Sequence, residues 1–480
     1  MTAFPLGLDT AAPDVISFVG GGGKSSALFG LANAIAGKGD RVITTSTTHL
    51  GAAQLALAPI SVTVADGHLP LDQIAAALTR HNHCLLIGPP VAHEAATTPA
   101  AMGVRLKGLP IPMIDELVSR SSQLGISALL VEADGSKRRP VKVPAAYEPV
   151  IPPSTTMLVT VMGLDAIGRP IDDEFVHRPE LLRQLLHEYA PTSVPTALAA
   201  HLPPLTAAMR LTPAMAAHLL LHPNGGAKGL PPQARHILLL NKAESPLSLA
   251  LGRLISQKLA PHAPLCLMGA VGVDQSNPIR ERRAPLGVAV LAAGQSSRMG
   301  RAKQLVTADG EIMAVRAARV ALASGATQVV VVTGAYADQV AKQLRMTLGA
   351  DFTRLHLVHN PDWASGQASS VRSAVQHWAP HIAAAAIMPV DQPFLSPQLL
   401  KQIFQRWRLG AQMVAPAVQN QMRGAPALFD RSLWPELAML DGDVGARVIL
   451  QRYQRLVSTV ETSAMQLQDI DTPADLARLA

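Results

Sequence analysis

The sequence predicts an α/β fold built from two parallel-sheet domains. Short apolar runs of strand length alternate with helix-like segments along the whole chain, which is the pattern of parallel strands joined by crossover helices. A glycine-rich loop follows the first apolar run of each half. The length of 480 residues also exceeds what one ordinary hydrophobic core holds together.

Each half of the chain has its own series of buried strands. The first half predicts strands at 15–20, 41–46, 84–88, 128–134, 157–163 and 236–241. The second half predicts strands at 287–294, 328–334, 355–359 and 385–390. Residues 277–286, with two prolines and a basic cluster, separate the two series, so we predict domains at 1–283 and 286–480. The proline-rich stretch 191–230 is interpreted as an inserted helical segment or lid.

Composition narrows the classes of function. Hydrophobic residues make up 48% of the chain and charged residues 16%, as in folded proteins. No apolar run reaches the roughly 18 residues of a membrane span, and the isolated Cys84 and Cys266 predict neither disulfides nor zinc, so we expect a cytoplasmic protein without a membrane partner. The net charge is +7, but the densest basic patches are short, and aromatic residues that could stack on bases make up only 3% of the chain. Both observations favour small anionic ligands over nucleic acid.

The loop that follows Leu291 is the strongest functional signal. Gly294 and Gly300 tolerate positive φ and let the backbone approach an anion, while Arg298 offers a planar fork and Lys303 a point charge. The alternative is an ordinary strand-to-helix turn with two solvated cations. We predict a nucleotide-triphosphate site at Leu291, Ala292, Ala293, Gly294, Arg298, Gly300 and Lys303.

A second chemical cluster, Asp391 and Gln392, follows the apolar run 385–388. Ligands of open α/β sheets bind beyond the carboxyl ends of the strands, so this carboxylate is expected near the glycine loop. Mg²⁺ is held by one or two carboxylates together with substrate phosphates, which makes Asp391 a candidate metal ligand. Alternatively, Asp391 caps the following helix or closes a turn.

The second half resembles the MobA-like nucleotidyltransferases, and in particular the molybdenum cofactor cytidylyltransferases. The motifs are LAAGQSSRMG with Lys303, NPDWASGQASS, DQP, RGAPALF, GDVGAR and DIDTPADL. The resemblance implies a nucleotide-diphospho-sugar transferase-like fold, CTP and molybdopterin as substrates, and Mg²⁺ as cofactor. It implies catalytic roles for Arg298, Lys303 and Asp391, metal binding by Asp391 and Asp471, and pterin contacts at Gly366, Ser369, Gln392, Arg423 and Asp443.

The resemblance also addresses the nucleotide base. Leu-Ala-Ala-Gly is the loop form associated with cytidine, whereas guanylyltransferases of the group usually carry Leu-Ala-Gly-Gly. We expect the methyl group of Ala293 to narrow the space for a purine, although one methyl decides only about 1–3 kcal/mol. Three alternatives stay open: GMP transfer, nucleotidyl transfer to a sugar or polyol phosphate, and a non-catalytic chaperone that binds finished cofactor.

The glycine loop of the first half lies between a predicted strand and a predicted helix, as in a P-loop. We predict phosphate binding by backbone amides and Lys24, with Ser25 as a Mg²⁺ ligand. Phe18 stands where the standard P-loop spacing places glycine, so a structural glycine turn is the alternative. The segment 132–137 adds acids at a strand end, and Leu-Asn-Lys-Ala-Glu at 240–244 resembles a guanine-reading element with Glu in place of Asp. The predicted ATP- or GTP-binding residues are Gly21, Gly22, Gly23, Lys24, Ser25, Ser26, Asp134, Asn241 and Lys242.

As a set, five segments of the first half resemble the YqeC-like accessory family of selenium-dependent molybdenum hydroxylases. They are VGGGGKSS, TTSTTH, VEADGSKRRPVKVPAAYEPVIP, MGLDAIGRPIDDEFVHRPE and LNKAE. The resemblance implies a P-loop-like NTPase-type fold and a molybdenum hydroxylase apoenzyme of the xanthine dehydrogenase family as partner. Both halves, each Rossmann-like in architecture, therefore indicate molybdenum cofactor maturation.

Overall fold

The computed structural model describes residues 13–65, 67–91, 105–187, 209–259, 264–272, 278–296 and 299–477. Arg298 and residues 191–208 of the proline-rich stretch, for which we made predictions, lie outside the described residues. The chain divides into two compact units between residues 281 and 282. No helix in the described ranges is both long enough and apolar enough to cross a membrane.

The first unit is built on a nine-stranded sheet of order β13-β12-β11-β9-β1-β7-β2-β5-β4. Its neighbouring strands from β12 through to β4 pair in parallel. The strands are β1 Asp14–Gly20, β2 Arg41–Ser46, β3 His49–Gly51, β4 Ser61–Thr63, β5 His83–Ile87, β6 Arg105–Lys107, β7 Ile126–Glu132, β8 Val141–Lys142, β9 Met157–Gly163, β10 Val176–His177, β11 Arg235–Asn241, β12 Leu265–Gly269 and β13 Ile279–Arg283. The helices are α1 Lys24–Ala36, α2 Leu71–His81, α3 Ile111–Ser119, α4 Ser121–Leu124, α5 Pro179–His187, α6 Pro213–Leu221 and α7 Pro246–Leu259.

Both faces of this sheet are buried, which explains why its strands are continuous apolar runs. In β1, Ile16 and Phe18 enter the core that contains α1, whereas Val15 enters the core that contains α2. The central position of β1 between β7 and β9 places the loop that follows it at the carboxyl edge of the sheet. The glycine loop of the first unit therefore lies where ligands of parallel sheets bind.

The second unit has a mixed sheet of order β18-β17-β14-β19-β22-β20-β21, with β23 paired to β20. Its strands are β14 Leu286–Ala292, β15 Thr307–Ala308, β16 Glu311–Ile312, β17 Gln328–Thr333, β18 Leu355–His359, β19 Ala384–Pro389, β20 Met413–Val418, β21 Gln421–Met422, β22 Ala427–Asp430 and β23 Val457–Glu461. Its helices are α8 Met313–Ala323, α9 Ala337–Leu348, α10 Gln367–Gln376, α11 Pro397–Arg408, α12 Trp434–Ala438, α13 Arg447–Arg452 and α14 Pro473–Ala477.

The four strands predicted in the second unit pair in parallel, but β22, which was not predicted, runs antiparallel to both β19 and β20. Only residues 419–426 join β20 to β22, and a parallel connection needs about a dozen residues or more. The ten strands predicted from apolar runs all occur, with bounds within two residues of the predicted ones. The central strands of both units, which carry the glycine loops, are among them.

Arg282 is the first residue of the second unit and is 2% exposed. Its guanidinium lies 4.1 Å from the ring centre of Trp407, pairs with Asp430 at 3.0 Å, and donates to the backbone oxygen of Trp407 at 2.8 Å. Burial lowers the pKa of Arg282 to about 10, although the charge of Asp430 opposes this shift. The residue therefore anchors the start of the second unit to its own core.

Candidate functional site

In the second unit, a glutamine that the sequence analysis did not single out holds the glycine loop in shape. The side-chain amide of Gln304 donates to the backbone oxygens of Ala292 (3.0 Å) and Gly294 (2.6 Å). Within the described part of the loop, the residues with left-handed backbone are Ser296 (φ 59°) and Gly300 (φ 69°). Gly294 does not adopt the positive φ that glycine tolerates, but a side chain at Gly294 would enter open space, which leaves its backbone accessible.

Ala293 does not lie where the base-selection argument needs it. The residue is 3% exposed, and its side chain belongs to the hydrophobic core together with Ala289 and Val332. Its backbone oxygen accepts a hydrogen bond from the amide of Ala335 at 3.0 Å. The methyl group therefore does not face the cavity, and its position does not support the expected exclusion of a purine.

Lys303, Asp391 and Asp471 meet at the carboxyl edge of the second sheet. The ammonium of Lys303 lies 3.1 Å from an oxygen of Asp391 and donates a hydrogen bond to Asp471. Burial lowers the pKa of Lys303, but the hydrogen bond to Asp471 and the charge of Asp391 outweigh burial and raise it overall. The backbone amide of Ile470 donates to the backbone oxygen of Asp391 at 2.9 Å. This bond ties the segment that carries Asp471 to the end of β19.

Asp469 adds a third carboxylate beside this group. Its side chain accepts a hydrogen bond from Gln392 at 3.0 Å. Burial raises the pKa of Asp469, and the neighbouring charge of Asp391 raises it further. Two half-exposed carboxylates, Asp391 and Asp471, already share one cation, and carboxylate oxygens are the ligands that Mg²⁺ prefers. This pair therefore fits a magnesium ion that receives its remaining ligands from phosphates and water, although the described residues contain no cluster of three or more metal-ligating side chains.

A cavity of about 500 Å³ opens beside these carboxylates. Of the predicted site residues, Leu291, Asp391, Gln392, Arg423 and Asp471 line it. Its remaining wall includes Ile387, Val418, Met422 and Leu467, with Gln367 and Arg447 as further polar groups. The cavity thus combines an acidic edge, an apolar wall and two guanidinium groups.

Three predicted pterin contacts, Gly366, Ser369 and Asp443, do not line this cavity. Ser369 is buried and donates to the backbone oxygen of Gly366 at 2.8 Å, while Asp443 accepts from the amide of Gln367 at 3.3 Å. A Cβ at Gly366 would lie 2.5 Å from the backbone oxygen of Gly442. Gly366 packs against a neighbouring backbone, and Ser369 and Asp443 form hydrogen bonds within the loops. These residues therefore shape the loops outside the cavity lining.

The middle of the glycine loop of the first unit, Gly21 and Gly22, is buried and packed against protein backbone. The amides of Gly21 and Gly22 donate to the backbone oxygens of Val161 and Arg139, each at 2.9 Å. A Cβ at Gly22 (φ 76°) would collide with the backbone of Gly163, and one at Gly23 (φ 119°) with the amide of Asn241. Two of the predicted phosphate-binding amides are therefore already bonded within the protein.

Lys24 is 4% exposed and takes part in a buried chain of alternating charges. Its ammonium donates to the oxygen of Gly20 at 2.6 Å and lies 3.1 Å from Asp134. Asp134 also pairs with Lys142 at 2.8 Å, and Lys142 contacts Glu148, which pairs with Arg178. In this structure Asp134 holds the ammonium that we predict to reach a phosphate, so the predicted phosphate contact of Lys24 stays a prediction.

Ser25 is held between two side chains. Its hydroxyl donates to Glu132 at 2.8 Å and accepts from Gln54 at 2.7 Å. Burial raises the pKa of Glu132, against the opposing charge of Lys24. Ser26 is exposed on the first turn of α1. Glu132 and Gln54 thus already engage the hydroxyl of Ser25, and its role as a Mg²⁺ ligand stays a prediction.

The guanine-reading interpretation of Asn241 and Lys242 is not supported by their contacts. The side-chain amide of Asn241 donates to the oxygen of Gly22 at 2.8 Å, and its oxygen accepts from the amide of Val271 at 2.9 Å. Lys242 pairs with Asp165 at 2.5 Å. Asn241 is therefore a brace for the glycine loop.

Comparisons with known proteins match both units. Residues 16–180 match the model of the YqeC protein family, and residues 288–457 match that of the MobA-like NTP transferase domain. The uncharacterized protein YqeC of Escherichia coli (strain K12) is 30% identical over 238 residues, which are 48% of this chain and 76% of that protein. Nicotine blue oxidoreductase of Paenarthrobacter nicotinovorans is 33% identical over 202 residues, which are 40% of this chain and 94% of that protein.

The chain belongs to the YqeC and MobA-like NTP transferase families. The second unit is a MobA-like nucleotidyltransferase domain, and the first is a YqeC domain. Among solved structures, Rv0371c from Mycobacterium tuberculosis H37Rv is 26% identical, with coverage of 41% of this chain and 97% of that one and a TM-score of 0.35.

In the MobA-like domain, sequence reasoning missed four residues of the site: Gln304, Gln367, Arg447 and Asp469. Three of them lie inside motifs already identified, and Gln304 directly follows Lys303. Asp469 could have been found, because residues two apart in an extended segment point to the same side. Gln304 could not, since a glutamine that braces a loop has no sequence signature.

Proposed function

We propose that the MobA-like domain transfers CMP from CTP to the terminal phosphate of molybdopterin and releases pyrophosphate. One observation carries this proposal: the ammonium of Lys303 lies between the carboxylates of Asp391 and Asp471, beside a cavity of about 500 Å³ and next to the glycine loop. Preorganised charges of this kind stabilise charge that develops on phosphate oxygens.

In the proposed reaction, an oxygen of the acceptor phosphate attacks the α-phosphorus of CTP. A new P–O bond forms, the bond to the β-phosphate oxygen breaks, and pyrophosphate leaves with the electron pair. No protein nucleophile is needed, since a phosphate monoester dianion is itself nucleophilic, so the protein contributes alignment and charge neutralisation. Magnesium held by Asp391 and Asp471 would neutralise triphosphate charge.

The residues of the chain then have separate tasks. Lys303, displaced from its carboxylates, neutralises phosphate oxygens, and the loop backbone from Ala292 to Gly300 together with Arg298 holds the triphosphate. Because the ammonium of Lys303 already pairs with both carboxylates, we expect magnesium to enter together with CTP. The preference for CTP over GTP rests on the Leu-Ala-Ala-Gly loop form alone, since the Ala293 methyl lies in the core.

The test is pyrophosphate release by the full chain with molybdenum cofactor and each of the four NTPs in turn. We expect release with CTP and Mg²⁺, and none after chelation of the metal. Pyrophosphate release with GTP and with no other NTP would change the assigned base from cytosine to guanine. Pyrophosphate release only with a sugar or polyol phosphate would change the assigned acceptor from molybdopterin to that phosphate. Binding of the molybdenum cofactor without release of pyrophosphate would favour a chaperone. Oxidation or reduction of nicotine blue in the absence of molybdenum cofactor would favour a redox role like the one named for the relative from Paenarthrobacter.

We propose further that the YqeC domain, with bounds at 1–283, is a P-loop-like accessory module that binds ATP or GTP at Gly21–Ser26. Support comes from the position of the loop between β1 and α1, and from Ser25 and Lys24 lying beside the carboxylates of Glu132 and Asp134. Phosphate binding there would have to exchange the Lys24–Asp134 contact for a phosphate contact. Titration of the full chain with ATP and GTP tests this, with Lys24→Ala as the variant and exposed Lys38→Ala as its matched control; equal affinity in both would reject the site.

The fusion of the two domains, the second at 286–480, suggests that they act in one cytoplasmic pathway. A tether keeps two modules at an effective concentration of about millimolar, which favours direct transfer of a labile cofactor to a molybdenum hydroxylase apoenzyme. Mixing the full chain with such an apoenzyme and following hydroxylase activation tests the partner. Activation no faster than with free dinucleotide cofactor would reject it.

A further inference from the structure

We propose that Arg423 and Arg447 form a clamp for the phosphate group of the acceptor substrate. Both residues are exposed, and both line the cavity beside the acidic group. Among the described residues, neither guanidinium forms an ion pair or a side-chain hydrogen bond. This inference rests on the proposed function, since it names which phosphate the two arginines receive.

The contrast with Arg452 makes the clamp specific. Arg452 lies on α13, the same helix as Arg447, and pairs with Glu436 at 2.9 Å. Arg447 forms no ion pair within the described residues, although Asp391, Asp469 and Asp471 line the same cavity. A cation that stays unpaired in a concave site is available for an anionic ligand, and guanidinium groups bind phosphate with paired N–H donors.

The side-chain stem of Arg447 packs against the backbone of the segment that carries Arg423. A Cβ at Gly424 would lie 3.0 Å from Cδ and 3.1 Å from Cγ of Arg447. The stem of Arg447 therefore lies against the residue that directly follows Arg423. An anion that accepts from both guanidinium groups would offset the repulsion between two like charges carried by neighbouring segments, which indicates the kind of group that completes this part of the site.

The arrangement of the cavity indicates the phosphate of the acceptor. The triphosphate loop and Lys303 are on the acidic edge, where Lys303 is already occupied by Asp391 and Asp471. An acceptor dianion beside three carboxylates needs cations of its own, and Arg423 and Arg447 are the arginines and lysines that line the cavity within the described residues. The apolar wall of Val418, Met422 and Leu467 then suits the uncharged body of the acceptor. The ligand class is a phosphate monoester of an apolar or planar organic group.

Binding of phenyl phosphate to the full chain, followed by ³¹P NMR, tests the clamp without turnover. We expect Arg423→Ala and Arg447→Ala each to weaken binding by about tenfold to a hundredfold, as expected for the loss of a charge-assisted contact. Arg447→Lys should keep part of the affinity, because it retains the charge without the fork. Arg452→Ala is the control and should bind like the wild type, and phenol should not bind in competition.

Magnesium–CTP affinity, measured on the same variants, separates the acceptor from the nucleotide. We expect it to stay unchanged. Unchanged phenyl phosphate affinity in both alanine variants, no phenyl phosphate binding by the wild type, or a parallel fall in CTP affinity would each overturn the clamp. Arginine-dependent phenyl phosphate binding without pyrophosphate release from any NTP would instead reject nucleotidyl transfer and leave the phosphate clamp standing.

Discussion

The two glycine loops of this chain look alike in sequence but differ in structure. Each follows a central parallel strand and carries a lysine a few residues on. In the second unit the lysine and its carboxylates lie beside a cavity of about 500 Å³, whereas in the first unit the space beside Gly20 and Asp134 measures only about 20 Å³. The comparison teaches that a glycine loop lets another group come close to its backbone. The surroundings of the loop decide whether that group belongs to a ligand or to the protein itself.

The largest expected effect on stability is in the first unit. Asp134→Asn removes the buried charge that faces both Lys24 and Lys142, and we expect a loss of about 3–5 kcal/mol in the free energy of unfolding. Chemical denaturation followed by circular dichroism measures it. Asp165→Asn, which removes the partner of Lys242 from an exposed pair, is the control and should cost less than about 1 kcal/mol. Equal small losses would mean that the buried charge chain does not support the loop.

The largest expected effect on activity is in the second unit. Lys303→Ala should lower turnover by about 10²–10³, the scale for loss of one preorganised charge-stabilising group. Pyrophosphate release measures it, with exposed Lys401→Ala on α11 as the matched control. Because Asp391 and Asp471 are partly exposed, the variant should unfold at nearly the wild-type temperature. Wild-type turnover would refute the assigned role.

A pair of glycine substitutions compares the loops directly. Gly22→Ala should destabilise the protein by about 1–3 kcal/mol, because its Cβ would meet the backbone of Gly163 at a φ of 76°. Gly294→Ala should change stability by less than about 0.5 kcal/mol, because its Cβ would enter open space. Thermal unfolding measures both, and CTP titration of Gly294→Ala tests whether the open backbone serves the nucleotide. Equal destabilisation by the two substitutions would break the comparison.

Acid should affect the first unit through its buried histidines. Burial lowers the pKa of His83, His177 and His236 to about 4, so the unfolded chain binds more protons than the folded unit between about pH 6.5 and 4. Stability is therefore complete above about pH 6.5 and falls as the pH drops, with a slope of up to about 1.4 kcal/mol per pH unit for each histidine. His236→Gln should reduce this slope in denaturation measured from pH 7 to 5, whereas exposed His356→Gln should not. An unchanged slope for His236→Gln would contradict the assignment.

Sequence reasoning was strong for strands and weak for what surrounds their ends. The apolar runs that became β1 and β14 were predictable because strands buried on both faces contain little else. The antiparallel β22 was missed, since its apolar tripeptide at 427–429 carries no sign of direction. The meeting of Lys303 with Asp471 spans 168 residues, and only the family resemblance, which implies metal binding by Asp471, suggested that this residue belongs to the site. The sequence could not separate the two roles of Asn241, because a brace and a base-reading amide use the same side chain.

The buried guanidinium at position 282 decides where the chain can be cut. A protein shortened to begin at residue 286, as the sequence-based boundary suggests, would leave the indole of Trp407 without its stacked cation and remove the ion pair of Asp430, which keeps its hydrogen bond from the Trp407 indole. A version that begins at residue 278 keeps both. We therefore expect the longer fragment to be the better independent piece for crystallisation and enzymology, and its higher melting temperature would measure the difference.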